Sequence, residues 1–225
     1  MTLEIGAVSF KLPMLERDVR LVEITGARYH AGQISCRASL DIIRAAKARG
    51  LPVTCGVSIN HLILNQNDIG PYRTFFKLRP PLRSEEDRQA MVEGVASGDI
   101  DVIVSAHDPK DAEVKRRPFA EAADGAIGLE TLLSAALSLF HNGAVPLASL
   151  LKAMTATPAS LLGLEQGKLA AGAPADLVLI DLATPYVVDA EKLSSRSKNT
   201  AFEQARFQGR ALLTLVAGRA VYNYA

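Results

Sequence analysis

Hydrophobic positions in the first half of the chain alternate between two spacings. Apolar side chains recur at helical spacing over residues 15–26. Residues 27–35 are expected to form a short strand, and residues 52–59, which are rich in β-branched residues, the next strand. Between these strands, Ser39 can cap a helix that runs to Arg49. The pattern therefore predicts strands and helices in alternation.

The same alternation continues to residue 105. Residues 74–78 are expected to form a third strand and residues 100–105 a fourth. Ser84 opens a helix with a side-chain cap and an acidic first turn, and Gly98 ends it. Strands that alternate with helices over short connections predict a parallel sheet with right-handed crossovers.

From Gly128 the pattern changes. Two strongly apolar helices are expected at 129–140 and 147–155, and Pro158 suits the first turn of a third. After Gly167 the chain becomes strand-like. The expected strand segments are 175–181, 186–188 and 212–222, the last with a turn at 217–219.

Composition limits the classes of function. The 225 residues are 48% hydrophobic and 22% charged, which is ordinary for a globular chain with a buried core. A net charge of +1 favours neither nucleic acid nor an anionic membrane as a partner. No apolar run approaches the roughly 20 residues that span a bilayer, and the first residues lack the order of a signal peptide. Cys36 and Cys55 fit a reducing cytoplasm, with a disulfide between them as the open alternative.

Polar residues follow the predicted strands at the points where the strands end. The clusters are 33–35, 60–61, 77–83 and 106–110. The carboxyl ends of parallel strands meet at one edge of a sheet, and in α/β folds ligands bind there. The sequence therefore predicts one site built from these clusters.

Nine short segments, in a fixed order over most of the chain, resemble one family. They are LERD at 15–18, GARYH at 26–30, VTCGVS at 53–58, NHL at 60–62, FKLRPPLR at 76–83, IDVI at 100–103, GLE at 128–130, GAPADL at 172–177 and SKNT at 197–200. Together they resemble the carboxyl-terminal portion of a dihydroorotase, in the cyclic-amidohydrolase superfamily.

The resemblance implies a fold and a reaction. The expected fold class is α/β: the carboxyl-terminal half of a (β/α)8 TIM-type barrel plus a small β-sandwich portion. Residues 1–165 would form the partial barrel and residues 166–225 the β-sandwich portion. The family interconverts dihydroorotate and carbamoyl aspartate in pyrimidine biosynthesis, using zinc to activate water and a carboxylate to move a proton.

Residue by residue, the resemblance implies that the family's metal site is degenerate here. Gln33 and Asn60 stand where the fifth and sixth barrel strands carry metal-binding histidines, and Ala106 replaces the eighth-strand aspartate that acts as the base. The His-x-His pair of the first strand has no counterpart, because the chain is expected to begin after the fourth strand. We therefore expect no intact catalytic residue, no metal ligand and no cofactor.

Three basic residues are substrate-binding candidates. Arg79 stands at a substrate-contacting asparagine of the family, and Lys110 stands at a substrate-holding histidine. Arg79 and Arg83 flank two prolines and can bind a carboxylate or phosphate as a guanidinium pair. The alternative for both arginines is a surface loop of charged residues. The run from Lys110 to Arg117 is expected to be a solvated loop.

The histidines offer alternative ligands. His30 and His61 are expected to face away from Gln33 and Asn60 and to serve packing or hydrogen bonding. The neighbouring His107 and Asp108 can replace a lost ligand pair, although a loop-turn aspartate before proline is the favoured interpretation. His141 is expected to cap a helix or to be solvated. Ser35 and Cys36 have no paired base, so structural use is favoured over a nucleophile.

Two functions follow. The first is a non-catalytic, cytoplasmic dihydroorotase-like chain that acts as an assembly partner in a homo- or hetero-oligomer, for example with aspartate transcarbamoylase, as the resemblance implies. The alternative is an active cyclic amide hydrolase completed by another chain or by a missing amino-terminal half. A truncated reading frame without independent function is the third interpretation. We expect neither nucleic acid nor a membrane as a partner.

Overall fold

The computed structural model describes the backbone of residues 2–224 and the side chains of residues 12–224. Helices and strands alternate in its first part: α1 (Thr2–Thr25), β1 (Tyr29–Ile34), α2 (Arg37–Ala48), β2 (Val53–Ser58), α3 (Ile59–Ile63), α4 (Glu85–Ser97) and β3 (Val102–Val104). The apolar stripe predicted for the first helix is confirmed, because Leu15, Val19 and Val22 are buried. Gly26 follows α1 at a φ of 68°, a left-handed value that suits glycine.

β1, β2 and β3 form one parallel sheet, in that spatial order. Cys55, Val57 and Ile103 on one face of the sheet belong to the main hydrophobic core. His30 and Thr54 lie side by side on the opposite face, where the His30 ring and the Thr54 hydroxyl are hydrogen-bonded at 2.8 Å. The predicted parallel α/β arrangement is confirmed.

The third predicted strand, at 74–78, is wrong. Residues Thr74–Phe76 form a 3₁₀ helix, in which the Lys77 amide donates to the Thr74 carbonyl. The backbone is therefore bonded locally and is not available for a ladder. Phe76 and Leu78 pack in a second, smaller apolar cluster. The parallel sheet thus has three strands among the described residues, rather than four.

The predicted helix cap at Ser39 is also wrong. α2 begins at Arg37, and its N-cap residue Cys36 makes no side-chain capping bond. The Arg37 amide instead donates to the Asp87 carboxylate, at 2.9 Å, so the helix is capped by a residue of α4. The predicted Ser84 cap is confirmed, because its hydroxyl accepts from the Asp87 amide.

In the described part of the chain, four further α-helices follow β3: α5 (Ala112–Lys115), α6 (Leu132–His141), α7 (Leu147–Met154) and α8 (Ala156–Leu162). α6 and α7 confirm the two predicted apolar helices, and Pro158 lies in the first turn of α8 as expected. None of the helices in the described part of the chain is long and apolar enough to span a bilayer.

The last part of the chain forms an antiparallel sheet of β4 (Leu177–Val187), β5 (Arg206–Val216) and β6 (Arg219–Asn223). The two predicted segments at 175–181 and 186–188 are one strand, with a shift of register between Asp181 and Pro185. Phe207 of β5 is buried in the main core, whereas Leu179 and Val221 are 57% and 61% exposed. One end of this sheet therefore packs against the main core, whereas apolar side chains at the other end are exposed to solvent.

The two cysteines do not form the disulfide that the sequence left open. Cys36 and Cys55 are free thiols, and both are buried. Burial raises the pKa of the Cys55 thiol to about 12, so this group is an unreactive part of the core.

Candidate functional site

The polar clusters that follow the strands meet in one cavity of about 190 Å³, which we call the central cavity. Its lining residues come from the ends of β1, β2 and β3 and from two loops: Gln33, Ser58, Asn60, His61, Leu78, Arg79, Ala106, His107, Asp108, Gly125 and Ala126. The structure thus brings together Gln33, Asn60 and Ala106, the three residues that the resemblance assigns to the family's metal-site positions.

Gln33 reaches this cavity because β1 is irregular. The register of β1 against β2 shifts between Ala31 and Ile34, and these two side chains are buried while His30 and Gln33 are both exposed. The prediction that His30 faces away from Gln33 is therefore wrong, because simple alternation does not survive a bulge. His30 nevertheless lines a different groove, together with Thr54 and Val102, and partial burial of its ring in this groove lowers the pKa of the ring.

Asn60 and His61 enter the cavity from α3, a short helix that begins where β2 ends. The Ser58 hydroxyl caps this helix by accepting from the Asn60 amide at 3.1 Å. Asn60 is 2% exposed, and its Oδ1 atom has no hydrogen-bond partner in the described part of the chain. The His61 Nε2 donates to the Pro81 carbonyl at 3.1 Å. Because both residues are helical, strand alternation does not separate them as predicted.

Ala106 stands just beyond β3 with a φ of 47°, in the left-handed region. For a residue with a Cβ atom, this conformation costs roughly 1–2 kcal/mol, and asparagine and aspartate tolerate it better because their side chains bond locally. The backbone at position 106 therefore suits a short polar residue better than the alanine that occupies it.

His107 and Asp108 both line the central cavity, and both are already engaged. The His107 Nδ1 atom accepts from the Gly128 amide at 3.2 Å, which leaves Nε2 to carry the ring proton. The Asp108 carboxylate pairs with the Lys110 ammonium at 2.7 Å. Asp108 is thus half of an ion pair, and Lys110 contacts this carboxylate beside the cavity.

Asn199 is a site residue that the sequence reasoning missed. It is 3% exposed, and its amide nitrogen donates to the carbonyls of Asp108 and Gly125 while its oxygen accepts from the Lys110 amide. Its hydrogen bonds therefore link the segment at Asp108 and Lys110 to the loop at Gly125, and residues of both line the cavity or lie beside it. The SKNT segment, recognised only as a family resemblance, was the available signal.

Glycines allow the loops to approach each other closely. A Cβ atom on Gly125 would lie 2.3 Å from the Asp108 carboxylate oxygen, and one on Gly128 would lie 2.4 Å from the Ser105 carbonyl. Both distances are shorter than real side chains permit, so any larger residue would push Asp108 or the end of β3 away from the cavity.

Lys115 holds the loop beside the site in place through hydrogen bonds from its ammonium group. It is 2% exposed, and its ammonium donates to the Thr74 and Ala123 carbonyls, each at 2.8 Å. Burial lowers the pKa of Lys115 to about 8. The charge run from Lys110 to Arg117, predicted to be a solvated loop, therefore contains one buried member.

Arg79 and Arg83 occupy different places. Arg79 is exposed and lines the central cavity, whereas Arg83 is buried and lines a neighbouring groove beside β1. The two guanidinium groups therefore line two different cavities. His141 is exposed at the end of α6, as expected.

Zinc, which the resemblance implies, does not fit the side chains present in the central cavity. Gln33 and Asn60 offer neutral amide oxygens, which are poor zinc ligands, and Ala106 offers none. Within residues 12–224, no three histidine, cysteine, aspartate or glutamate side chains are grouped so that they could hold a metal ion. We therefore derive no metal-dependent step from this chain.

Comparison with known proteins identifies relatives over nearly the whole chain. Residues 20–221 match the model of the amidohydrolase family. A dihydroorotase from Anaplasma phagocytophilum is 44% identical over 211 residues, which cover 93% of this chain and 47% of that protein. A dihydroorotase from Anaeromyxobacter is 44% identical over 212 residues, covering 93% and 49%. The resemblance found in the sequence is confirmed.

A solved structure shares the fold. The L-hydantoinase (dihydropyrimidinase) from Arthrobacter aurescens superimposes with a TM-score of 0.92 at 29% identity, over 96% of this chain and 49% of that one. The fold is therefore an amidohydrolase-like α/β fold. The chain spans about half the length of the relatives that it matches.

Proposed function

The chain belongs to the amidohydrolase family, and from that premise we propose that it is a dihydroorotase-like polypeptide of pyrimidine biosynthesis that does not hydrolyse cyclic amides on its own. The observation that carries this proposal is the lining of the central cavity. Gln33, Asn60 and Ala106 lie together there, where the resemblance implies two histidines and an aspartate. Two amides and a methyl group supply neither strong zinc ligands nor a carboxylate that moves a proton.

The proposed architecture is an incomplete (β/α)8 barrel formed by residues 1–165, with a β-sandwich portion at 166–225. Support comes from the three parallel strands, since β1 pairs with β2 alone among the described strands. Further support comes from the match to about half of each relative. A barrel buries the inner faces of its strands only when the sheet closes, and here His30 and Gln33 on that face are exposed.

The proposed role is that of an assembly partner. An open sheet edge and an open inner face are surfaces that another polypeptide covers in a stable protein. The exposed apolar residues Leu179 and Val221 of the antiparallel sheet extend this argument to the second part of the chain. Aspartate transcarbamoylase is the partner that the family resemblance suggests, and a homo- or hetero-oligomer in the cytoplasm stays the expected form.

The alternative function is an active cyclic amide hydrolase, in which a second chain supplies the other half of the barrel and its catalytic residues. Arg79 favours this alternative, because it lines the central cavity and is exposed to an incoming acidic substrate. Lys110 and Arg83 would assist, although Lys110 is paired with Asp108 and Arg83 lines a different groove.

Size-exclusion chromatography with light scattering tests the assembly role. The purified chain is expected to self-associate, or to elute with a copurifying partner, and a monodisperse monomer would contradict the proposal. Elemental analysis separates the two functions. Zinc near stoichiometry together with dihydroorotate turnover, in this chain coexpressed with the missing half of the barrel, would support the alternative and overturn the non-catalytic assignment. The absence of both zinc and turnover would exclude the alternative.

A further inference from the structure

Arg83 is a buried guanidinium group that has no carboxylate partner among the side chains the structure describes. The residue is 6% exposed, and its Nε atom donates to the Ser35 hydroxyl at 3.2 Å. Among the side chains of residues 12–224, no aspartate or glutamate forms an ion pair with it. Arginine is almost never buried so completely unless it is paired, because removing an uncompensated charge from water is unfavourable.

The side chain lines a groove of about 250 Å³ between α1 and the outer edge of β1, which we call the edge groove. Gln33 and Ser35, at the carboxyl end of β1, line this groove together with Met14 of α1. Met14 is 52% exposed. The edge groove is therefore open and partly apolar, with one buried guanidinium group at the end where β1 finishes.

Asp18 also lines the edge groove, but its carboxylate is already bonded to other residues. Its carboxylate pairs with Arg17 at 2.7 Å and accepts from the Tyr29 hydroxyl at 3.1 Å. Among the side chains of residues 12–224, Arg83 therefore has no counter-charge within the groove. A guanidinium group binds a carboxylate through two parallel hydrogen bonds, which makes a carboxylate the best-matched occupant.

The geometry of β1 indicates how such a carboxylate arrives. β1 pairs with β2 on one side, and its other edge has no strand partner among the described residues. That edge presents unpaired backbone groups to which a strand can add. A strand added in parallel, like the others of this sheet, would finish beside Ser35 and Arg83.

We propose that the edge groove receives a strand from the polypeptide that completes the barrel, and that an acidic side chain near the carboxyl end of this strand pairs with Arg83. This inference rests on the proposed function, because it requires the barrel to be incomplete in this chain. The chain's match to about half of each relative supplies the candidate occupant, the remaining half of the same fold.

The test uses the full chain and, as the probe, the part of the Anaplasma phagocytophilum dihydroorotase that lies outside the matched region. Binding of the tagged probe is titrated against the wild type, Arg83→Gln, Arg83→Lys and Arg37→Gln. Arg37 is the matched control, since it follows Ser35 by two residues, loses the same charge on substitution and already faces Glu93. Removing one member of a buried charge pair is expected to weaken binding roughly 30-fold or more.

The expected result is a roughly 30-fold or larger loss for Arg83→Gln, a smaller loss for Arg83→Lys, and less than about a threefold change for Arg37→Gln. Equal binding by Arg83→Gln and Arg37→Gln would overturn the inference while leaving the incomplete barrel intact. No binding by the wild type would overturn both. Circular dichroism of each variant confirms folding. If the glutamine variant does not fold, probe binding by the lysine variant, which keeps the charge, is compared with that of Arg37→Gln: weaker binding supports the inference and equal binding overturns it.

A second experiment distinguishes a carboxylate side chain carried by an added strand from the carboxylate of a free small molecule. Succinate is titrated into the chain alone, and thermal unfolding is followed for the wild type and Arg83→Gln. Succinate is expected to give little protection, since the carboxylate is presented by a strand. The inference would be contradicted by two results together. Succinate would raise the unfolding temperature of the wild type saturably but not that of Arg83→Gln, and the probe would bind both proteins equally. The edge groove would then be assigned to a free carboxylate ligand.

Discussion

Replacing Ala106 with glycine should stabilise the chain, although glycine usually destabilises. The φ of 47° at Ala106 lies in the left-handed region, which costs a residue with a Cβ atom about 1.5 kcal/mol. Glycine removes this cost but gives the unfolded chain more freedom, a loss of about 0.7 kcal/mol. The net gain is therefore about 0.8 kcal/mol in the free energy of unfolding, or a rise of roughly 2–3 °C in Tm.

Urea unfolding, followed by circular dichroism, measures this change. The matched control is Ala120→Gly, since Ala120 is an exposed loop alanine outside the left-handed region. The control should lose about 0.7 kcal/mol, so that the two variants differ by about 1.5 kcal/mol in opposite directions. A loss of stability in Ala106→Gly equal to that of the control would refute the strain argument and, with it, the claim that this position suits aspartate or asparagine.

Three further predictions concern the site. Ala106→Asp alone should give no dihydroorotate hydrolysis in a coupled absorbance assay, because Gln33 and Asn60 remain poor ligands; turnover by this variant would show the assignment to be wrong. Asn60→Leu should raise the free energy of unfolding by about 1–3 kcal/mol, since it removes a buried acceptor without a partner, and a loss of stability in urea would contradict this. The pKa of Lys115 falls from 10.5 to about 8 on folding, so the unfolded chain binds more protons between these pH values and stability rises with pH there. The stability of the wild type relative to Lys115→Met should therefore rise from pH 8 to 10.5, and a flat difference would count against a buried, desolvated ammonium.

The sequence predicted the site better than it predicted local details. Gln33, Asn60 and Ala106 are far apart in the chain, yet the rule that parallel strands end at one edge places them together, and the structure places them in one cavity. The rule depends only on the order of strands and helices. It therefore survives the error at residues 74–78, where aromatic and β-branched residues favoured a strand but local bonds form a 3₁₀ helix.

The failures share a physical cause, which is that the deciding contact lies far away in the sequence. The start of α2 depends on the Asp87 carboxylate, 50 residues from the Arg37 amide that it caps. The direction of His30 depends on a bulge in the pairing of β1 with β2. Asn199 holds the cavity through bonds to residues more than 70 positions earlier. Local propensity and alternation carry no information about such partners.

The most direct test of the central claim is dihydroorotate hydrolysis by the assembled barrel. This chain is coexpressed with the unmatched part of the Anaplasma phagocytophilum dihydroorotase, and the purified complex is supplied with zinc. The positive control is the same complex carrying Gln33→His, Asn60→His and Ala106→Asp in this chain. The account predicts turnover by the triple variant and none above background by the wild type; hydrolysis by the wild-type complex would contradict it.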